Sequence, residues 1–327
     1  MLDIISITGP VFIIIAVGFA ATKSGLLNEA DIRGVGRFVL VIALPALIFR
    51  AVAIRPMSEV IEPGYVLAYA LGSFVMLAAA YLFSRRITGL DQSQAAMRSM
   101  GMTCPNSGFI GFPVFLILLP DIAAQILALN FIVENVMLVP ILLLLAEQGR
   151  ENGHYGSVWK TVLATLSRLA RTPLMIAIAL SIPVSLVGFE IPSVVERPLA
   201  LLADVAVGAS LFYVGAMLAI LGLTGMNSQA IVTVIGKLVI HPLVLIGVYI
   251  GLFALGMANL DHPMILALVV TGALPAFSVY PILAGNYGYG AEAGFALIVM
   301  TAASFFSLTL LLYLMNGATG QALIHAL

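Results

Sequence analysis

The stretch "CPNSGFIGFP", Cys104–Pro113, decides the fold. It packs two prolines, two glycines, an Asn and a Ser into ten residues. The chain is apolar on both sides, from about Ala95 to Met102 and from Val114 to Leu119. Proline removes a backbone donor and clashes with the preceding turn of a helix. The freed N–H and C=O groups cost several kcal/mol each if they face lipid. They persist only where protein, water or a ligand satisfies them. A ten-residue breaker inside a hydrophobic run therefore has to be explained.

Composition sets the frame. Apolar residues make up 62% of 327 and charged residues only 9%, with a mean hydropathy of +1.14. Soluble domains carry about 45–50% apolar and about 25% charged residues. The chain reads as an all-α integral membrane protein. A net charge of −1 supplies no basic field for nucleic acid. The single cysteine, Cys104, excludes an internal disulfide framework and a Cys-based zinc site. The N-terminal "MLDIISITGP" lacks a basic n-region and a small-residue cleavage site, so the first apolar run is expected to be a span. The motifs HExxH, GxSxG, Walker A and CxxC are all missing, so no enzyme is expected.

A bilayer needs about 20 apolar residues per helix. Runs of that kind predict ten spans, roughly 4–22, 34–53, 64–84, 95–119, 122–146, 172–189, 198–221, 229–256, 263–286 and 291–315. The main polar connection begins at "EQGRENGHYGSVWK", 147–160, and "TVLATLSRLAR" after it is amphipathic and suited to the interface. Ten spans put both termini on one side, with Arg50, Arg55 and Arg197. The other side carries Lys23, Arg33, Arg37, Arg85, Arg86, Arg98, Arg150, Lys160, Arg168 and Arg171. The positive-inside rule then predicts termini outside and the 147–171 connection in the cytoplasm.

The breaker recurs. Pro281, in "TGALPAFSVYPILAGNYG" (271–288), follows Pro113 by 168 residues, about half the chain. The same shift brings Arg37 beside the position of Asp204. Five spans per half is an odd number, so the halves insert with opposite orientation. The expected organisation is a first five-helix repeat, 1–146, the 147–171 connection, and a second repeat, 172–327. Broken helices four and nine would cross at the site, the pattern of secondary transporters. Asn106 and Ser107 are good caps for the half-helix after the break. Its N-terminus presents amides and partial positive charge to an anion. Gly108 and Gly111 allow close approach.

At these residues the chain resembles the auxin efflux carrier family. "NSGFIGFP" is similar to the family's Asn-x-x-x-x-Gly-x-Pro crossing, and "GRFVLVIALPALIF" (36–49) to its second span. "ADVAVGASLFYVG" (203–215) resembles the seventh span, and "KLVIHPLVL" with "GALPAFSVYPILAGNYG" the eighth and ninth. The resemblance covers nearly the whole chain. It implies two inverted five-helix repeats related to the bile acid:sodium symporter fold. It further implies a scaffold part, often dimeric, so a homodimer is expected. The substrate would be a small organic anion, a mono- or dicarboxylate such as malonate or malate, as for bacterial inner-membrane permeases of this family. An aromatic carboxylate exporter of the auxin type and a Na⁺-coupled organic anion symporter are the alternatives. Carried onto this chain, Asn106, Glu134, Pro113 and Pro281 are site residues, with Ser107, Gly108 and Ser278 beside them. Glu134 stands where plant members have Gln. The long plant cytoplasmic loop is missing, and the third span carries no charge.

Charges inside a membrane are expensive and usually functional. Glu134 lies mid-span with Asn130 at i−4 on the same face. A neutral Glu134 would donate a hydrogen bond to a carboxylate and carry a coupling proton. Paired with Lys237 or Arg37 it would be structural. Asp204 and Lys237 are candidates for an ion pair or a coupling role. Lys237 and His241, at i and i+4, share a face. No cofactor is expected beyond a coupling ion, H⁺ or Na⁺. Asn106, Asn130, Glu134 and the carbonyls of 103–105 would supply oxygens for Na⁺.

Overall fold

The computed structural model describes residues 2–55, 61–149, 167, 170–221 and 227–316. The described chain is helical, in twelve helices. In order they are α1 (Leu2–Lys23), α2 (Glu29–Ala53), α3 (Pro63–Arg86), α4 (Gln92–Thr103), α5 (Ser107–Leu118) and α6 (Ala123–Gln148). Then come α7 (Pro173–Val187), α8 (Ser193–Leu221), α9 (Ser228–Ala254), α10 (His262–Ala273), α11 (Tyr280–Gly285) and α12 (Gly290–Asn316). Six of them, α2, α3, α6, α8, α9 and α12, are long and apolar enough to cross a membrane. Residues Gly9–Lys23 of α1, with α5, α7 and α10, are shorter apolar helices. The expected fourth span is split into α4 and α5, and the ninth into α10 and α11. The amphipathic 161–171 segment lies almost wholly outside the described residues.

Polar residues set the helix starts. Asn28 makes a capping box with Asp31, and Asp91, Thr172, Asn227 and Asp261 each accept a hydrogen bond from a first-turn amide. Helix α1 packs along α8, and α7 along α2. The first pair is close because of glycine: a Cβ on Gly18 would overlap the Phe212 carbonyl, and one on Gly215 the Ile15 carbonyl.

Four helices widen into a π-turn, at Val39–Ala43, Ser107–Gly111, Val133–Leu138 and Gly236–Ile240. In each case a proline stands two residues after the turn: Pro45, Pro113, Pro140 and Pro242. Widening relieves the clash between the proline ring and the carbonyl four residues back. The carbonyl so freed needs a partner. For Pro113 it is that of Phe109, which accepts from Ser210 Oγ of α8 at 3.1 Å.

Candidate functional site

The two breaks meet. Asn106 N donates to the Pro275 carbonyl at 2.8 Å and Phe277 N donates to the Cys104 carbonyl at 3.2 Å. Pro105 and Ala276 thereby form a short antiparallel bridge between the extended linkers of α4–α5 and α10–α11. Each break thus satisfies part of the other's freed backbone. Asn106 caps α5 by accepting from Phe109 N at 3.2 Å, and its amide donates to Ser278 Oγ at 2.9 Å. The first helical amides, those of Ser107 and Gly108, have no acceptor in a preceding turn. A Cβ on Gly108 would lie 3.2 Å from Phe131 and 3.4 Å from Leu44, so the half-helix is tightly packed at its head. Helix α11 starts without a side-chain cap.

Glu134 is inside the π-turn of α6 and is 6% exposed. Its Oε1 accepts from Ser107 Oγ at 2.5 Å and from Tyr69 Oη at 2.9 Å. Asn130 Nδ2 reaches Ser107 Oγ at 3.3 Å and Thr271 Oγ1 at 3.1 Å, and its Oδ1 accepts from Tyr65 Oη at 2.8 Å. One hydrogen-bonded network therefore joins α3, the head of α5, α6 and the end of α10. Next along α10 from Thr271, the Gly272 carbonyl accepts from Lys237 Nζ at 2.8 Å. Cations suit the C-terminal end of a helix, where carbonyls are unpaired. Lys237 also meets His241 Nδ1 at 2.9 Å, which leaves Nε2 to face Ser73 Oγ at 3.4 Å. Asn106, Ser107, Asn130, Thr271 and Lys237 are all at most 2% exposed, so this conformation is closed around the crossing.

Of the residues expected from the sequence, Asn106, Ser107, Gly108, Asn130, Glu134 and Ser278 come together, with Lys237 and His241 adjoining. Pro113 and Pro281 flank the crossing at the second position of their helical segments. The expected partnership of Asp204 with Lys237 is not formed. Lys237 is buried against α10, whereas Asp204 is exposed on α8 and lines a cavity with Arg50 and Arg55. Arg37 is exposed on α2. No ion pair joins Glu134 to Lys237 or Arg37 among the described residues. Glu134 instead takes neutral hydroxyl partners.

Sequence reasoning missed Tyr65, Tyr69 and Thr271. Two phenols at i and i+4 in the apolar start of α3 were the available signal. It also missed Arg98, which is fully buried and donates to Tyr289 Oη, Thr88 Oγ1 and Gln229 Oε1. These bonds tie α4 to the α3–α4 loop, to α9 and to the turn before α12. A further regularity escaped notice: Ser107, Glu134 and Lys237 all lie in proline-linked π-turns, where a local change of helical pitch turns a polar side chain inward.

The model of one family, described as membrane transport protein, matches residues 4–314. The chain belongs to this auxin efflux carrier-like membrane transport family. It is a transporter and not an enzyme. It is similar to a protein of Rhizobium meliloti (strain 1021) named "Putative malonate transporter", 27% identical over 325 residues that cover 97% of each chain. It is also 26% identical over 304 residues to the "Uncharacterized transporter YfdV" of Escherichia coli (strain K12), covering 90% of this chain and 92% of that one. A Methanothermobacter thermautotrophicus protein named "Uncharacterized transporter" is 28% identical over 105 residues, 32% of this chain and 34% of its own.

Proposed function

We propose that this family member is a secondary active transporter of small organic anions, mono- or dicarboxylates, that binds its substrate at the crossing of α4–α5 with α10–α11. The name of the Rhizobium meliloti relative makes malonate the first substrate to test. The observation that carries the reading is the direct bond from Ser107, at the head of the broken half-helix, to Glu134. It sets a carboxyl group beside the amides that would receive an anion. Asn106 and those amides would hold the carboxylate.

Both hydroxyls bonded to Glu134 fall on Oε1. A proton on Oε2 would let Glu134 donate to the substrate instead of repelling it, and would travel with it. The side-chain oxygens of Asn106 and Asn130 already accept from Phe109 N and Tyr65 Oη. With one lone pair of each oxygen engaged and Glu134 able to carry a proton, H⁺ is the coupling ion proposed. Access would alternate as the crossing bundle moves against α1, α2, α7 and α8. The reciprocal pairing of α1 with α8 and α7 with α2, together with the two meeting breaks, supports two inverted repeats and ten crossings. The charge count then puts the Arg50 and Arg55 end outside.

The test is current recording from proteoliposomes on a solid-supported membrane. A carboxylate panel led by malonate is applied at acidic and alkaline pH, with and without Na⁺. Currents that grow with the inward proton gradient and ignore Na⁺ are expected. Silence to every carboxylate would sink the anion reading.

A further inference from the structure

The polar residues of the crossing are buried, and a cavity of about 190 Å³ stands near them. Its walls are α2 (Leu47, Arg50), Arg55 just after that helix, the far half of α5 (Phe112, Leu116), the start of α6 (Ala123, Ala124) and α8 (Asp204, Val207). The floor is placed by helical periodicity. Leu47 is one turn beyond Leu44, and Phe112 is one turn beyond Gly108. Leu44 and Gly108 are themselves neighbours, with a Cβ on Gly108 coming 3.4 Å from Leu44 Cδ1. The cavity therefore opens one helical turn from the head of the half-helix. Leu47 and Phe112 line the cavity, and Leu44 packs against the half-helix head.

The charged residues that line the cavity are Arg50, Arg55 and Asp204. Arg50 is half-exposed, and its Nε donates to Glu196 Oε1 of α8 at 2.8 Å. That bond uses one edge of a five-donor fork and steadies the side chain at the cavity wall. None of these groups is needed by the network at the crossing.

We infer that this cavity is a second binding site, a vestibule in which Arg50 and Arg55 capture a carboxylate before it enters the crossing. The inference rests on the transport reading for the anion's destination, but not for its capture. Guanidinium forks match carboxylates in shape and charge. Charge focused in a cleft raises the local concentration of an oppositely charged ligand, and salt screens the effect. Asp204, on the facing wall, repels the anion and keeps the vestibule weak enough to release it inward. Glu196 competes with the anion for Arg50.

The experiment uses the purified full chain and malonate as probe. Saturation-transfer NMR reads binding, and proteoliposome uptake reads KM from the Arg50 side. Asn106→Ala, which removes the crossing contact, is expected to keep a weak malonate signal that fades as salt is raised. Asn106→Ala/Arg50→Gln is expected to lose that signal. Glu196→Gln and Asp204→Asn are expected to strengthen it, which separates capture from misfolding. Arg50→Gln alone is expected to raise KM about tenfold at low salt, the low end of focused-charge effects, with the difference shrinking at high salt. An Asn106→Ala protein with no malonate signal would overturn the vestibule, and so would a signal indifferent to Arg50, Glu196 and Asp204. Arg50-dependent binding without uptake would keep the vestibule and overturn the transport reading instead.

Discussion

Replacing Glu134 by Gln and by Ala separates its two roles. Glu134 Oε1 is the acceptor for Ser107 Oγ and Tyr69 Oη, both buried. Glutamine has the same shape and keeps an oxygen in that place. Both hydroxyls remain bonded, and the stability of Glu134→Gln should stay within about 1 kcal/mol of the parent. Alanine removes the acceptor for both hydroxyl protons, although Ser107 Oγ still accepts from Asn130 Nδ2. A buried polar group left unpaired costs about 1–3 kcal/mol, so the pair costs about 2–6 kcal/mol. At roughly 2 °C per kcal/mol, the melting temperature should fall by roughly 4–12 °C. Thermal unfolding of the purified protein in detergent measures this. Uptake in proteoliposomes at acidic and alkaline pH measures the other role. Glu134→Gln cannot exchange a proton, so any remaining uptake should no longer follow pH. Equal destabilisation by Gln and Ala would refute the hydrogen-bond argument, and pH-driven uptake by Glu134→Gln would refute the proton assignment.

Other sites give simpler contrasts. Asn106→Ala loses the cap on Phe109 N and the bond to Ser278, which should cost about 2 kcal/mol in unfolding and abolish transport; unchanged malonate uptake would move the site elsewhere. Tyr280 Oη is buried without a partner, so Tyr280→Phe should be neutral or stabilise by up to about 1 kcal/mol, and a clear drop in melting temperature would count against that accounting. Gly272→Ala would place a Cβ 2.8 Å from Pro242 Cα and 3.0 Å from Pro242 N. Backbone cannot step aside as a side chain can, so this variant should fold poorly and fail to traffic as a monodisperse species in size-exclusion chromatography. Lys237→Met should leave the Gly272 carbonyl unpaired, lowering stability by about 1–3 kcal/mol; a melting temperature equal to the parent's would show that the carbonyl finds another donor.

The breaks and their partners show where sequence reading succeeds. Two proline-rich interruptions in apolar runs, one half a chain after the other, pointed to a crossing, and the linkers do bridge at Pro105 and Ala276. Asn106 was legible as a cap because capping is local: the amide that donates to it, Phe109 N, is three residues away. The burial and bonding of Glu134 were legible in part, because an isolated carboxyl among apolar residues needs partners. Asp204 carried the same local signal, with an ion pair to Lys237 as one of two readings, and that pair is not formed. The cost of an intramembrane charge does not say on which face of which helix it falls. Asp204 faces a cavity and Lys237 faces a helix end, 33 residues apart in sequence and on different helices.

What the sequence determined by itself was therefore one-dimensional: how much of the chain is apolar, where apolar runs are long enough to cross, and where they break. Those properties follow from the energy of backbone groups in lipid, which depends on nearby residues alone. Only the tertiary structure decided which polar groups meet. Tyr65, Tyr69, Asn130, Glu134, Ser107 and Thr271 come from four helices and become one network because π-turns present Ser107 and Glu134 inward and the two breaks cross. Contacts between distant segments depend on the packing angle and pitch of whole helices, and neither is written in any single stretch of residues, "CPNSGFIGFP" included.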